Sequence, residues 1–138
     1  MNAENIIRVS DVMTQRFIVE DGLSTVADAI DALRAADAEC VIVQKRHDDD
    51  EYGIVLLSDI ARKIIASDRS PDRVNLYEIM SKPVISVRPN MDIRYTARMF
   101  ENFGLSMAPV LRRGEVLGLV TYREIVLTDR EPAVDPSG

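Results

Sequence analysis

The sequence predicts an α/β fold made of two copies of one motif, each with the order strand, helix, strand, strand, helix. Gly53 begins a short apolar run that leads to Asp59, and Gly118 begins a similar run that leads to Glu124. Apolar runs without polar alternation, such as 40–43, are typical of strands buried on both faces of a layered α/β fold. These two observations favour two half-size units over one undivided domain in a chain of 138 residues.

One constant offset relates the two copies over most of their length. Residues 76–81 (LYEIMS) match residues 9–14 (VSDVMT), and at the same offset 109–110 matches 42–43. The glycines at 53 and 118 lie slightly closer together than this offset requires, so the first copy has the longer loop before its last strand. A constant offset with one length change in a loop indicates an internal duplication. We therefore divide the chain as follows: N-terminal tail 1–8, first repeat 9–66, linker 67–75, second repeat 76–128 and C-terminal tail 129–138.

In the first copy, residues 17–19 are predicted as an extended strand, and Ser24 is a candidate N-cap for the helix that follows. That helix has one apolar face, formed by Val26, Ala29, Ile30 and Leu33. Two strands, 40–43 and 53–57, come next. A second helix then follows, with an apolar face at Ile60, Ile64 and Ile65.

The second copy repeats this order. Val84 and Ile85 occupy the positions of the first strand, and Asn90 is a candidate N-cap for the helix that Gly104 ends in a left-handed turn. The strand around Pro109 is separated from the last strand by the short turn 112–115.

The bulk composition excludes several classes of protein. A net charge of −6 disfavours a broad nucleic-acid-binding face, and no uncharged apolar run approaches the ~18 residues of a membrane span. No secretory signal is present either, so we expect a cytoplasmic protein. The single cysteine, Cys40, lies in an apolar run and is predicted to be a buried, unreactive thiol.

No pattern typical of catalysis is present. The chain has one histidine, no phosphate-binding Gly-rich loop and no nucleophile beside a base, so we predict that it is not an enzyme. The run His47–Glu51 offers imidazole and carboxylate groups to a divalent cation. A solvated turn between two strands explains the same run better, because neighbouring carboxylates repel one another. We therefore predict no metal site.

The repeated motif resembles a tandem pair of cystathionine β-synthase (CBS) domains, often called a Bateman module. The resemblance covers residues 9–128 and rests on the Asp-Val-Met-Thr and Glu-Ile-Met-Ser openings, the Ala-Pro-Val element at 108–110 and the two Gly-apolar-apolar endings. It implies two pseudo-twofold-related repeats in one compact module, which commonly pairs into a disc-like homodimer. It also implies a regulatory role.

Modules of this family bind adenosine-containing effectors in two clefts between the repeats, so the resemblance implies AMP, ADP, ATP or S-adenosylmethionine as an effector and no required cofactor. The family pattern of Gly, two apolar residues, Thr or Ser, two free positions and Asp maps onto Gly53, Leu56 and Asp59, and onto Gly118, Thr121 and Glu124. Each copy departs once from the pattern, at Leu56 and at Glu124. By position in the family, the adenine walls would be Met13, Ile18 and Ala38 around Thr121 and Glu124, and Met80, Ile85 and Leu105 around Asp59.

The chemistry of these positions supports two interpretations. A carboxylate such as Asp59 accepts hydrogen bonds from ribose hydroxyls, and a hydroxyl at a helix N-terminus, such as Thr121, is placed to contact a phosphate. Leu56 cannot donate to a phosphate, although Ser58 could partly replace the missing hydroxyl. Helix capping alone would also explain Ser58, Asp59 and Thr121.

The charged residues near each cleft indicate which one is better suited to a phosphate group. Glu39 would repel phosphate in the cleft of Thr121. The cleft of Asp59 is therefore favoured, with Arg88, Arg112 or Arg113 as charge partners.

Three functions follow from this sequence. The first is a stand-alone sensor that binds an adenosine-containing molecule and changes its contact with an unidentified protein partner. The second is a ligand-free dimerisation or interaction module, whose contacts would come from the helices after the last strands (Ile60, Ile64, Ile65, Ile125 and Val126). The third is a divalent-cation sensor at His47–Glu51.

Overall fold

The computed structural model describes residues 6–130, which belong to two compact units. The central unit runs from Gln15 to Val84, and the terminal unit combines the chain up to Thr14 with the chain from Ile85 onward. The parts of the predicted tails at 1–5 and 131–138 lie outside the described residues. Both units contain helices and strands, so the α/β prediction is confirmed.

The elements are short, and those described follow the predicted order apart from the first strand of the second copy. The helices are α1 (Val9–Val12), α2 (Val26–Ala36), α3 (Leu57–Ile60), α4 (Ile93–Phe103) and α5 (Tyr122–Val126). The strands are β1 (Ile18–Glu20), β2 (Cys40–Val43), β3 (Gly53–Leu56), β4 (Met107–Arg112) and β5 (Glu115–Thr121). A π-helical turn (Ala61–Ile65) continues α3, and 3-10 turns lie at Pro71–Arg73 and Leu76–Glu78.

The central unit is a three-stranded sheet in the order β1-β2-β3, in which β1 is parallel and β3 antiparallel to β2. Every residue of β2 is buried, as its apolar run predicted. Burial raises the pKa of the Cys40 thiol to about 12, with a smaller contribution from the charge of Glu39. The thiol therefore stays protonated and unreactive, in agreement with the prediction.

The terminal unit is built on the antiparallel hairpin β4-β5, which has an irregularity between Val110 and Leu111. Helix α4 contributes Phe100 to a core that also contains Ile7, Val9 and Val120. Ile7 belongs to this core although the sequence placed it in a tail, because its side chain is buried and its carbonyl accepts the Ile93 N–H at 3.0 Å.

Each unit contains the opening segment of the other sequence repeat. Thr14 pairs with Leu119 in the terminal unit, and Ser81, the equivalent of Thr14 in the second copy, pairs with Ile54 in the central unit. Arg8 likewise pairs with Asp92, and the equivalent Asn75 pairs with Thr25. The duplication inferred from the sequence is therefore visible in the backbone pairing, but the compact units exchange their first segments.

The predicted first strand of the second copy, at Val84 and Ile85, is absent from the described structure. Only the parallel bridge between Val87 and Val110 remains, which is the equivalent of the pair Glu20 and Val43 between β1 and β2. Pro109 in β4 stands in the position of Ile42 and has no N–H to donate to this segment, which explains why pairing shrinks to one bridge.

Two predicted N-caps are displaced by one or two positions. Thr25, rather than Ser24, accepts the Asp28 N–H at the start of α2, and Asp92, rather than Asn90, accepts the Arg94 N–H at the start of α4. The carboxylate of Asp92 also binds the guanidinium of Arg94, which lowers the pKa of Asp92. Gly104 ends α4 with a φ of 64°, as predicted.

Candidate functional site

The turn from β3 into α3 holds Asp59 in a buried position. Its Oδ2 accepts the Leu56 N–H at 2.8 Å, and its Oδ1 accepts a hydrogen bond from Arg62 Nη2 at 3.1 Å. Lys63 Nζ lies 3.8 Å from the same Oδ1. A carboxylate has about four acceptor positions, so these contacts leave capacity for a ligand hydroxyl.

The turn from β5 into α5 has the same arrangement of hydrogen bonds between a carboxylate and the backbone. Glu124 Oε1 accepts the Thr121 N–H at 2.8 Å, and Thr121 Oγ1 accepts the Arg123 N–H at 3.0 Å. Glutamate therefore makes the same capping bond as Asp59 despite its extra methylene group. Because the Thr121 oxygen acts as an acceptor here, its O–H remains able to donate to an anion.

The capping interpretation is thus correct for Asp59 and Thr121, and it leaves the ligand interpretation open. Ser58 is different, because its side chain is exposed and makes no hydrogen bond to any residue in the range 6–130. Capping does not explain Ser58.

Each turn lies beside a methionine from an opening segment. A Cβ atom on Gly53 would lie 2.6 Å from Met80 Sδ, and one on Gly118 would lie 2.8 Å from Met13 Sδ. A larger residue at either position would displace the methionine side chain, so this close packing favours glycine. The Asp-Val-Met-Thr and Glu-Ile-Met-Ser motifs already indicated that a methionine has the same place in both copies, since Met13 and Met80 occupy equivalent positions.

The remaining predicted wall residues divide between the units. Ile18, Ala38 and Met80 are partly buried against the core of the central unit. Asp59 belongs to the same unit. Met13 and Leu105 are partly buried against the core of the terminal unit, which also holds Thr121 and Glu124. Ile85, in the terminal unit, is exposed. Apart from Ile85, the predicted wall residues thus pack against a core and keep some accessible surface.

Two charged groups beside Asp59 were not predicted. Arg62 and Lys63 follow Asp59 at the i+3 and i+4 positions, a helical spacing that places them beside its carboxylate and could have identified them. The predicted repulsion from Glu39 is weakened, because Glu39 Oε1 lies 3.0 Å from Arg16 Nη2.

The loop 47–51 is held by contacts within the protein. Asp50 forms an ion pair with Lys82 and accepts the Arg46 N–H at 2.8 Å, and the hydrogen bond from Lys82 lowers the pKa of Asp50. Within the part of the chain that the structure describes, no three His, Cys, Asp or Glu side chains are arranged to hold a metal ion. None of the helices described is both long and apolar enough to cross a membrane.

Comparisons with known proteins identify the family. A family model described as the CBS domain matches residues 9–66 and 76–130. The uncharacterised protein MK0525 of Methanopyrus kandleri is 30% identical over 87 residues, which cover 62% of this chain and 43% of MK0525. This chain therefore matches less than half the length of that relative.

Three solved structures have a similar fold. The hexameric CBS-CP12 protein from bloom-forming cyanobacteria is 34% identical, with a TM-score of 0.85 over 88% of this chain and 70% of that chain. The CBS domain protein PAE2072 from Pyrobaculum aerophilum, complexed with AMP, has 17% identity and a TM-score of 0.77 over 89% and 93% of the two chains. The CBS domain pair of protein MJ0100, in complex with 5-methylthioadenosine and S-adenosyl-L-methionine, has 22% identity and a TM-score of 0.74 over 87% and 93%.

The match of the family model to both repeats covers most of the chain, and the structural likeness agrees with it. The protein belongs to the CBS domain family and contains a tandem pair of these domains.

Proposed function

We propose that this protein is a regulatory module that senses a small molecule through its adenosine group. The observation that carries the proposal is the matched pair of strand-to-helix turns, at which Asp59 and Thr121 each combine a capping role with unused hydrogen-bonding capacity. Ribose hydroxyls would donate to the carboxylate of Asp59. A ligand at the other turn would accept a hydrogen bond from the Thr121 hydroxyl, through a phosphate or another acceptor on the 5′ side of its nucleoside.

The ligands of two proteins with the same fold support this class. AMP, 5-methylthioadenosine and S-adenosyl-L-methionine differ at the 5′ position of the ribose and share adenosine. AMP, ADP, ATP and S-adenosylmethionine are therefore the effectors to test. Of the two turns, we favour that of Asp59, because Arg62 and Lys63 provide positive charge for a phosphorylated effector.

Sensing requires that the ligand change contact with something else. A ligand shifts a conformational equilibrium only when it binds one conformation more tightly. The effector would thus alter how this module contacts an unidentified protein partner. CBS domains are typically regulatory modules, and we propose no reaction for this one.

Thermal unfolding with adenosine, AMP, ADP, ATP and S-adenosylmethionine tests the proposal. A ligand at about 100 times its dissociation constant stabilises the fold by ~2.7 kcal/mol, which raises the midpoint by several degrees. We expect Asp59→Asn, at the favoured turn, to abolish the rise from a ligand bound there, and Thr121→Val to abolish the rise from a ligand bound at the other turn, because each variant loses the group that contacts the ligand.

Glu78→Gln is the matched control for this experiment. Glu78 Oε2 accepts the Asn75 N–H at 2.8 Å and its other oxygen lies 3.5 Å from Arg69, so it has the same capping role as Asp59 away from the two turns. Glu78→Gln should lower the midpoint without ligand, by a capping loss of about 1 kcal/mol, and keep the ligand-induced rise. A rise that survives in Asp59→Asn and in Thr121→Val, or no rise with any of the compounds, would contradict the proposal.

Exposed apolar side chains favour homodimerisation as a second function. Leu57 and Ile65 line an apolar cleft of about 370 Å³ in the central unit. Tyr122, which follows β5 as Leu57 follows β3, is exposed in the same way, as is Val126. Of the residues predicted to form the contact, Ile60 and Ile64 are instead buried in the core of the central unit, and Ile125 is partly buried against the core of the terminal unit. The contact would therefore rest on Ile65 and Val126.

Sedimentation velocity over a range of protein concentrations tests this second function. We expect wild type to form a dimer and Ile65→Glu to sediment as a monomer, because the charge would be buried without a partner at the interface. Leu23→Glu, which changes another exposed leucine outside this cleft, should still dimerise. A wild-type protein that stays monomeric at every concentration would exclude the dimer.

A further inference from the structure

We propose that a cleft at the hairpin end of the terminal unit binds the pyrophosphate or polyphosphate group of a small molecule. The cleft has a volume of about 610 Å³. Four arginines and two neutral polar residues account for most of its lining: Arg8, Arg88, Arg112, Arg113, Ser10 and Asn90. None of the residues that line it carries a carboxylate. A guanidinium group donates paired hydrogen bonds that match phosphate oxygens, so four of them suit a ligand with several negative charges.

The arginines of this cleft are not neutralised by the residues described. Over residues 6–130, the guanidinium groups of Arg88, Arg112 and Arg113 form no ion pair. Arg8 donates from Nη1 to the Asn90 carbonyl at 2.6 Å, a neutral acceptor. This concentration of unpaired positive charge occurs in a chain whose net charge is −6. Such a cleft attracts anions of high charge density.

The duplication provides an internal comparison. The central unit has a cleft of about 450 Å³ whose lining residues occupy the equivalent positions of the other copy. There, Asp21 stands in the position of Arg88 and Tyr77 in the position of Ser10, while Lys45 and Arg46 correspond to Arg112 and Arg113. The same backbone thus carries a mixed set of charges in one copy and only positive charges in the other. The arginine set is therefore a property of the terminal unit and not of the fold.

The backbone at Arg113 supports a role for its side chain. Arg113 and Gly114 both have positive φ, 53° and 79°, as the two central residues of a type I′ hairpin turn do. Glycine, asparagine and aspartate suit these positions, and arginine is disfavoured there. An arginine at such a position indicates a need for its charge.

This cleft is separate from the turn that holds Thr121. Arg112 pairs with Glu115 at the closed end of the β4-β5 hairpin, whereas Thr121 pairs with Met107 at the other end. The length of β4 separates the two ends, which corresponds to about 17 Å of extended strand. The cleft is therefore a second site in this unit, and it does not depend on the proposed adenosine site.

Isothermal titration of the full chain with inorganic pyrophosphate and tripolyphosphate tests the proposal. The decisive comparison is between Arg112→Gln/Arg113→Gln and Lys45→Gln/Arg46→Gln, which change equivalent positions and remove the same charge. We expect the first variant to bind roughly 100-fold more weakly than wild type, at about tenfold for each guanidinium lost, and the second to bind nearly as wild type does. Equal weakening in both variants, or no binding to wild type, would overturn the proposal.

Further titrations identify the source of the phosphate group. In the double variant Asp59→Asn/Thr121→Val, which lacks the proposed adenosine contacts, ATP that binds as tightly as tripolyphosphate, or more tightly, supports the proposal, and tighter binding indicates a nucleotide. Pyrophosphate affinity should be unchanged in Asp59→Asn and Thr121→Val, so this site and the proposed adenosine site can fail independently. If single-stranded RNA binds and neither inorganic phosphate compound does, the proposal of a small-molecule site is wrong.

Discussion

Phe100→Ala is expected to lower the free energy of unfolding by about 3–5 kcal/mol, the largest effect of any substitution considered for this protein. Phe100 is completely buried in the core of the terminal unit. Its ring also meets that of Tyr122 in an edge-to-face arrangement, with centroids 5.2 Å apart. Alanine would remove this contact and leave a cavity that the surrounding helix and strands cannot fully close.

Phe103→Ala is the matched control, because Phe103 lies on the same helix and is 62% exposed, compared with 0% for Phe100. Chemical denaturation followed by circular dichroism would measure both variants. We expect the control to change the free energy of unfolding by no more than about 0.5 kcal/mol. Similar losses in the two variants would mean that α4 does not pack through the face the structure shows.

Ile64→Ala is expected to cost about 2–5 kcal/mol, because Ile64 is buried in the core of the central unit. Its neighbour Ile65 provides the control, since the exposed fractions of the two side chains are 1% and 68%. Ile65→Ala should change stability by no more than about 0.5 kcal/mol when the measurement is made at a protein concentration low enough to keep the chain monomeric.

The variants Ile64→Ala and Ile65→Ala also test whether the protein dimerises. A protein that dimerises through Ile65 gains stability with concentration, because association favours the folded state. The loss caused by Ile65→Ala should then increase with protein concentration, while the loss caused by Ile64→Ala stays large at every concentration. If Ile64→Ala proves as mild as Ile65→Ala at low concentration, the placement of Ile64 in the core is wrong.

Periodicity and repetition in the sequence predicted the fold class and the two copies, and the resemblance of the repeated motifs to a known family predicted the family. These signals are local or repeat at a fixed spacing, so one sequence contains them without any knowledge of contacts. The buried state of β2 and the capping roles of Asp59 and Thr121 follow from the same local patterns. The predicted caps Ser24 and Asn90 were wrong by one and two positions, because several neighbouring side chains can cap the same helix.

Contacts between distant residues were decided only by the tertiary structure. The fixed offset between the copies relates Thr14 to Ser81, but it does not reveal that each one pairs with a strand of the other repeat. Periodicity also assigned Ile65 to the same apolar face as Ile64, although one is exposed and the other buried, because the face that a short helix presents to the core depends on what packs against it.

The arginine cleft is another feature that depends on contacts between distant residues. Arg8 belongs to a predicted tail, and Arg88, Arg112 and Arg113 were predicted only as alternative charge partners of Asp59, because no spacing rule connects the four residues. The hairpin β4-β5 and the bridge between Arg8 and Asp92 bring these segments to one end of the terminal unit. The sequence by itself determined which elements form and that they are duplicated, because those properties depend on neighbouring residues. Which charges converge depends on long-range packing, so only the tertiary structure decided it.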